Sequence, residues 1–275
     1  MAEAKFYNQT ALIEEAQRYK TSNEFLELLF KEFKGSYKLL TVGLGPRLLP
    51  IMSALTDQLI GMDINQGSID RANEFIKTWK DYQDIEPFKT EFEFLKNKGL
   101  KPNFDNCFFF FYQNKHFAAE FNRKSFAGEL ASELFLHLNK KDLEGVIRKA
   151  KNNLSSGPLE PGKLIFTVYT TGNENSLDKK FADFGSSIGI KKTDFIKNGV
   201  VNIRNFAARV RKKDSRIYDA YKNSYWLDLG KVRGFPEEDI EELCEKHGFN
   251  LKGKHNINCG MFPFAHRLVY VYSNS

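Results

Sequence analysis

Two short apolar runs, one entering a glycine turn and the other ending on an acid, constrain this chain more than anything else in it. Leu39 to Val42 runs into Gly43-Leu44-Gly45, a helix-like stretch follows, and Leu59 to Met62 stops at Asp63. Period and length make these two strands joined by a helix, a unit that forms parallel sheets with covered faces. In such a unit the first turn brings backbone N–H groups close to a ligand. An acid ending the second strand, 18 residues after Gly45, can accept hydrogen bonds from ribose hydroxyls. Gly43, Gly45 and Asp63 therefore point to a ligand of adenosine type.

The rest of the chain is long enough to build around that unit. With 275 residues, 41% of them hydrophobic, it has material for one large domain or for a core domain plus a cap. Its formal net charge of +6 is mild for the length, so neither a nucleic-acid partner nor a membrane surface is expected from it. Cys107, Cys244 and Cys259 are too far apart for a metal knuckle or a disulfide framework, and no metal site is expected. No run of eighteen apolar residues occurs and the N-terminal stretch is polar. The expectation is a soluble, cytoplasmic protein.

Along the chain, Leu12, Ala16 and Tyr19, then Phe25, Leu28, Leu29 and Phe33, have helical spacing ahead of the first strand. A helix from about Gln66 to Trp79 follows the second strand, with Asn65 or Ser68 as its cap. Residues 80–106 read in two ways. Glu91-Phe92-Glu93-Phe94-Leu95 is a polar-alternating edge strand, with Cys107 to Phe111 the buried strand after it, or the segment is an inserted helix. In the second case the phenylalanine run is strand three and Phe126 to Ser132 is strand four. Gly128 and Glu129 are poor central-strand residues, which speaks for the first.

Asn139 caps a helix carrying Leu143, Val146, Ile147 and Ala150, and Lys163 to Tyr169 is a clear strand. Thr170 to about Lys231 loosens into a basic, aromatic, partly helical cap. Pro236 then starts a helix that Gly248 ends, and two strands close the chain.

The order of these elements resembles that of the class I S-adenosylmethionine-dependent methyltransferases. The local strings VGLG with its downstream acid, SFAGELASELFLHLNKKDLEGVIRKAKNNL followed by PGKLIFTVY, and the tail FPEEDIEELCEKHGF carry the likeness. It selects the second reading of the middle, because FYQNKHFAAEFNRKSFAGELASELFLHL runs without a gap from strand three through strand four. The resemblance implies an α/β fold. Its core is a Rossmann-like, seven-stranded, mostly parallel sheet with an antiparallel C-terminal strand, helices on both faces and a cap insertion after strand five. It divides the chain into an N-terminal helical lid (1–36), a cofactor-binding core (37–169), a substrate cap (170–232) and the end of the core (233–275).

The same resemblance implies S-adenosyl-L-methionine as cofactor. Its contacts fall on Gly43, Leu44, Gly45, Asp63 and Ile64, on Asn114 or Lys115 beside the adenine, and on Ser132 and Glu133 beside the methionine part. Thr41 and Arg47 stand where the family commonly has an acid and a third glycine. An NAD site, the direct competitor, wants a glycine three residues after Gly45, where this chain has Leu48.

His137 in LFLHLN is either a partly buried residue at the lip of the sheet or a general base, since a neutral imidazole near pH 7 can take a proton from a hydroxyl or amine. Tyr7, in a region where similar small-molecule enzymes close an aromatic residue over the cofactor, and Tyr225 and Trp226 in the cap are the substrate-side candidates. The cap's aromatics, Phe181, Phe184, Tyr218, Tyr221, Tyr225 and Trp226, suit a lid over a small organic substrate, with the cap's own core the expected use for most of them. The implied activity is methyl transfer to oxygen, nitrogen or carbon of a small organic molecule. An RNA methyltransferase and a non-catalytic binding protein on the same fold are the alternatives.

Overall fold

The computed structural model describes residues 21–43, 45–86, 88–111, 125–132, 138–156, 161–174, 176–221, 230–257 and 267–274. Helix α1 (Asn23–Phe33) starts at Ser22, whose hydroxyl accepts the Phe25 N–H. Then come β1 (Leu39–Val42), a 3₁₀ turn (Pro46–Leu48), α2 (Leu49–Ala54), β2 (Leu59–Asp63), α3 (Gln66–Thr78) and α4 (Phe88–Asn97). Strands β3 (Cys107–Phe111) and β4 (Gly128–Ala131) precede α5 (Lys140–Asn153) and β5 (Lys163–Val168). After β5 come α6 (Leu177–Ser187), β6 (Ile196–Lys197), β7 (Val200–Asn202), α7 (Ile203–Lys213), α8 (Ser215–Tyr221) and β8 (Lys231–Arg233). Helix α9 (Glu237–Lys246), β9 (Phe249–Ile257) and β10 (Arg267–Asn274) end the described chain.

Seven strands form one sheet in the order β3-β2-β1-β4-β5-β10-β9. Strands β1 to β5 pair in parallel, and β10 runs antiparallel to both β5 and β9. Alternate residues of each strand feed opposite faces, and each face is closed by its own helices. Leu39, Leu59, Leu130 and Ile165 pack with α1, α2, α3 and α4. Leu40, Ile60, Leu164 and Phe166 pack with α5 and α9. The sheet is thus the seven-stranded, mostly parallel arrangement that the sequence implied, with helices on both faces.

The ambiguous middle is settled in favour of the inserted helix. Glu91 to Leu95 lie within α4, and the phenylalanine run is the edge strand beyond β2. Gly128 and Glu129 do occupy a central strand. Gly128 is required there because a Cβ would overlap the Phe33 ring of α1.

Between β5 and α9 a three-stranded sheet, β6-β7-β8, and helices α6 and α7 enclose a separate apolar cluster. Phe181 and Phe206 are buried in it, and Phe184 and Tyr218 pack against it. Those aromatics serve that cluster, as expected. Among the described residues no helix is long and apolar enough to cross a membrane.

Candidate functional site

Strand β1 lies between β2 and β4, and the chain leaves it toward β2 but later returns on its other side at β4. That reversal is the topological switch point, where open α/β sheets hold ligands at the carboxyl ends of their strands. Val42 is level with Met62 on one side and Ala131 on the other, so Gly43, Asp63 and Ser132 leave three adjacent strands at one edge.

Gly43 has φ of 81°, in the left-handed region where a side chain is strained. Its N–H donates to Met62 O at 3.0 Å, and Gly45 N–H donates to Gly43 O at 3.1 Å. Both N–H groups are therefore engaged, the first by the neighbouring strand and the second within the turn, rather than directed at a ligand, contrary to the simplest expectation for such a loop. What the glycines contribute is conformation and room: a Cβ at Gly45 would meet nothing within 4 Å. Leu48 is half-buried and packs against the core, which fills the position an NAD fingerprint keeps for glycine.

Asp63 ends β2, level with Phe111 at the end of β3. Its Oδ1 accepts the Asn65 N–H at 2.7 Å, and Asn65 in turn caps α3 by accepting the Gly67 N–H at 2.9 Å. The two side chains lock the bend between strand and helix, so the carboxylate is held at the sheet edge by local hydrogen bonds. Ile64, beside it, is 45% exposed, which places an apolar side chain against solvent next to the acid. Ser132 is half-buried just past the end of β4.

The structure thus brings Gly43, Gly45, Asp63, Ile64 and Ser132 to one edge. Leu44, Asn114, Lys115, Glu133, His137, Tyr7, Tyr225 and Trp226 lie outside the described residues. Among the described residues, no group of three or more His, Cys, Asp or Glu is placed to hold a metal ion.

One feature of the edge had no sequence signal. Arg47, in the 3₁₀ turn directly after the glycines, is buried and donates through Nε to Glu91 Oε1 of α4 at 2.6 Å. Thr21 Oγ1 donates to the same carboxylate oxygen. Burial pushes the Glu91 carboxyl up, against the opposing pull of Arg47 and the Thr21 hydrogen bond. A glycine at this position would leave Glu91 without its cation, and only the fold reveals that Arg47 and Glu91 belong together.

The residues at the edge fit an adenosine-type cofactor: an oriented acid at the end of the second strand, an apolar neighbour, and open space over a glycine. No protein-family profile and no curated protein matches the chain. Solved structures do. A SAM-dependent methyltransferase from Methanosarcina mazei is 13% identical, with 90% of this chain and 96% of that one covered at a TM-score of 0.57. A putative Zn-dependent alcohol dehydrogenase from Rhodobacter sphaeroides is 11% identical, with coverages of 93% and 91% and a TM-score of 0.54. Magnesium protoporphyrin IX methyltransferase from Synechocystis PCC 6803, with bound SAH, is 10% identical, with coverages of 92% and 81% and a TM-score of 0.50. At these identities the likeness is one of architecture, and the chain has the Rossmann-like fold found in class I S-adenosylmethionine-dependent methyltransferases.

Proposed function

We propose that this chain is an S-adenosylmethionine-dependent methyltransferase acting on oxygen, nitrogen or carbon of a small organic molecule. The observation that carries the reading is the position of Asp63. It stands at the carboxyl end of β2, one strand from the Gly43 turn at the switch point, with its carboxylate already oriented by Asn65. The likeness to methyltransferase structures supports it.

S-adenosylmethionine, when bound, supplies a methyl group already activated by positively charged sulfur. The work left to the chain is therefore alignment and exclusion of water, with a base where the nucleophile carries a proton. In this reading Asp63 accepts the ribose hydroxyls, Ile64 offers an apolar face to the adenine, and Gly43, Leu44 and Gly45 leave space along the methionine part. Asn114 or Lys115 closes the adenine side. Ser132 and Glu133 border the methionine side from the end of β4. His137 takes the proton of a hydroxyl or amine nucleophile, and Tyr7, Tyr225 and Trp226 enclose the substrate.

Isothermal titration with S-adenosylmethionine tests the core of this. Saturable binding that is lost in Asp63→Ala is the expected result. Absence of binding by the intact chain, or unchanged affinity in the variant, overturns it.

A further inference from the structure

The net charge of the chain is not spread over it. Residues 170–232 hold thirteen Lys and Arg against seven Asp and Glu, a net of +6, while the other 212 residues hold 28 of each. The whole positive excess therefore sits on the segment after β5. A mild average hides a concentrated local field, and the local field is what a polyanion meets.

Much of that charge lies on the outer side of α7. Ile203, Phe206 and Val210 turn into the apolar cluster, which leaves Arg204, Arg209, Arg211, Lys212 and Lys213 exposed. Cations in a last turn are favourable to the helix dipole, and this explains the final three. It does not explain Arg204. That residue stands in the first turn, two after the N-cap Asn202, where the dipole disfavours a cation and no acid compensates. Arg209 reaches Asp194 only at 4.0 Å, and Arg204, Lys212 and Lys213 have no acidic partner among the described residues.

The patch continues past both ends of the helix. Lys231 is level with Asn202 in the pairing of β7 and β8, and a Cβ at Gly230 would lie 3.9 Å from Arg204 Nε. At the other end a Cβ at Gly189 would lie 3.4 Å from Lys213 Nζ, two residues from exposed Lys191. In the same last turn, the Arg211 guanidinium lies 5.6 Å from the Tyr218 ring centroid, which limits its freedom.

What the patch lacks among its described residues selects its partner. A membrane-docking helix needs apolar side chains beside its cations, and a protein interface needs aromatic or aliphatic anchors. The large hydrophobic side chains exposed among the described residues are Tyr37, Ile64, Ile85, Phe108, Phe110, Phe111 and Leu251, all of them outside residues 170–232. A phosphodiester backbone needs only cations, arginines above all. We propose that the outer face of α7, extended by Lys231 and Lys191, binds the phosphate backbone of a nucleic acid. The small overall charge argued against such a partner; the distribution of that charge argues for it. The face goes beyond the methyl-transfer reading and does not depend on it.

Fluorescence anisotropy with a fluorescein-labelled single-stranded RNA, and with DNA of the same sequence, tests the face. Two variants each remove three cations: Arg204→Ala/Lys212→Ala/Lys213→Ala on the face, and Lys77→Ala/Lys96→Ala/Lys101→Ala away from it. Expected is binding of one or both strands whose log affinity falls with log salt at a slope of about −3, as for some four phosphate contacts, at roughly 0.7 per contact. The first triple variant should lower affinity at least about tenfold and flatten the slope by about 2, and the second should leave both near the wild-type values. Circular dichroism checks that each variant is folded. No binding of either strand at low salt, or equal loss in the two triple variants, overturns the proposal. So does preferential binding to phosphatidylserine vesicles or to polyglutamate. The readout contains no cofactor, so a failed titration with S-adenosylmethionine leaves it standing.

Discussion

Arg47 Nε lies 2.6 Å from Glu91 Oε1, and this buried pair ties the turn after Gly45 to helix α4, 44 residues along the chain. Thr21 joins the same carboxylate just before the start of α1, so one acid connects three segments around the glycine turn. The second carboxylate oxygen, Oε2, is buried without a hydrogen-bond partner. Desolvation of this kind makes the pair a constraint on geometry more than a source of stability.

Removing one member should therefore cost more than removing both. Arg47→Met leaves a carboxylate buried without its cation and is expected to destabilise the fold by about 3 kcal/mol, whereas Arg47→Met/Glu91→Leu should recover much of that loss. Urea unfolding midpoints measure the cycle. A double variant no more stable than Arg47→Met would show that the pair is not a coupled unit.

Gly128 and Phe33 make a second relationship of this kind. A Cβ at Gly128 would overlap the Phe33 ring and lie 2.9 Å from Leu39 Cδ2, with the strand packed on α1 and no slack to absorb it. Gly128→Ala is expected to cost about 2 kcal/mol through overpacking. Adding Phe33→Leu should return part of it, even though Phe33→Leu alone is destabilising. If Gly128→Ala unfolds at the wild-type urea concentration, the close approach is not a constraint.

These two sites also explain what the sequence concealed. Helix α4 points Phe88, Glu91, Phe94 and Leu95 inward, a helical stripe with a charge inside it. Read locally, Glu91 looks like a solvent-facing residue and the Glu-Phe alternation imitates an edge strand. Its partner Arg47 is 44 positions away, so no window contains the reason for its burial. Gly128 misled in the same way, since the ring that requires a glycine belongs to α1. By contrast, the caps Asn65 and Asn139 were legible because each accepts an N–H two or three residues ahead. So were the positions of Gly43 and Asp63, which follow from where their own strands end.

Asp63 gives a prediction at the candidate site itself. Its orientation depends on the Asn65 N–H, which Asp63→Asn retains as an acceptor while losing the charge. Hydrogen bonds to an ionised group contribute about 1.5–3 kcal/mol, so Asp63→Asn should weaken S-adenosylmethionine binding by roughly ten- to a hundredfold with the fold intact. Titration calorimetry alongside thermal unfolding separates the two effects. An equal fall in unfolding temperature and affinity would make Asp63 a structural cap of the bend and no more.

Glu129 gives the last prediction, and it concerns pH. Its side chain is fully buried in β4, level with Leu40 and Leu164 in the adjoining strands. Burial pushes the carboxyl up to about 8 from an ordinary 4.5, and the Asn153 amide opposes this only in part. Between those two values the folded chain holds a proton that the unfolded chain has released, so stability falls as pH rises through the window. The contribution is complete below the unfolded value and is gone once the pH passes the folded one. At about 1.4 kcal/mol per pH unit, going from pH 5 to pH 7.5 should remove about 3 kcal/mol. Glu129→Gln keeps the shape and cannot titrate. The stability of wild type relative to this variant should therefore fall by about 3 kcal/mol from pH 5 to pH 7.5. Parallel pH profiles for the two proteins would mean that Glu129 does not hold its proton in the folded chain.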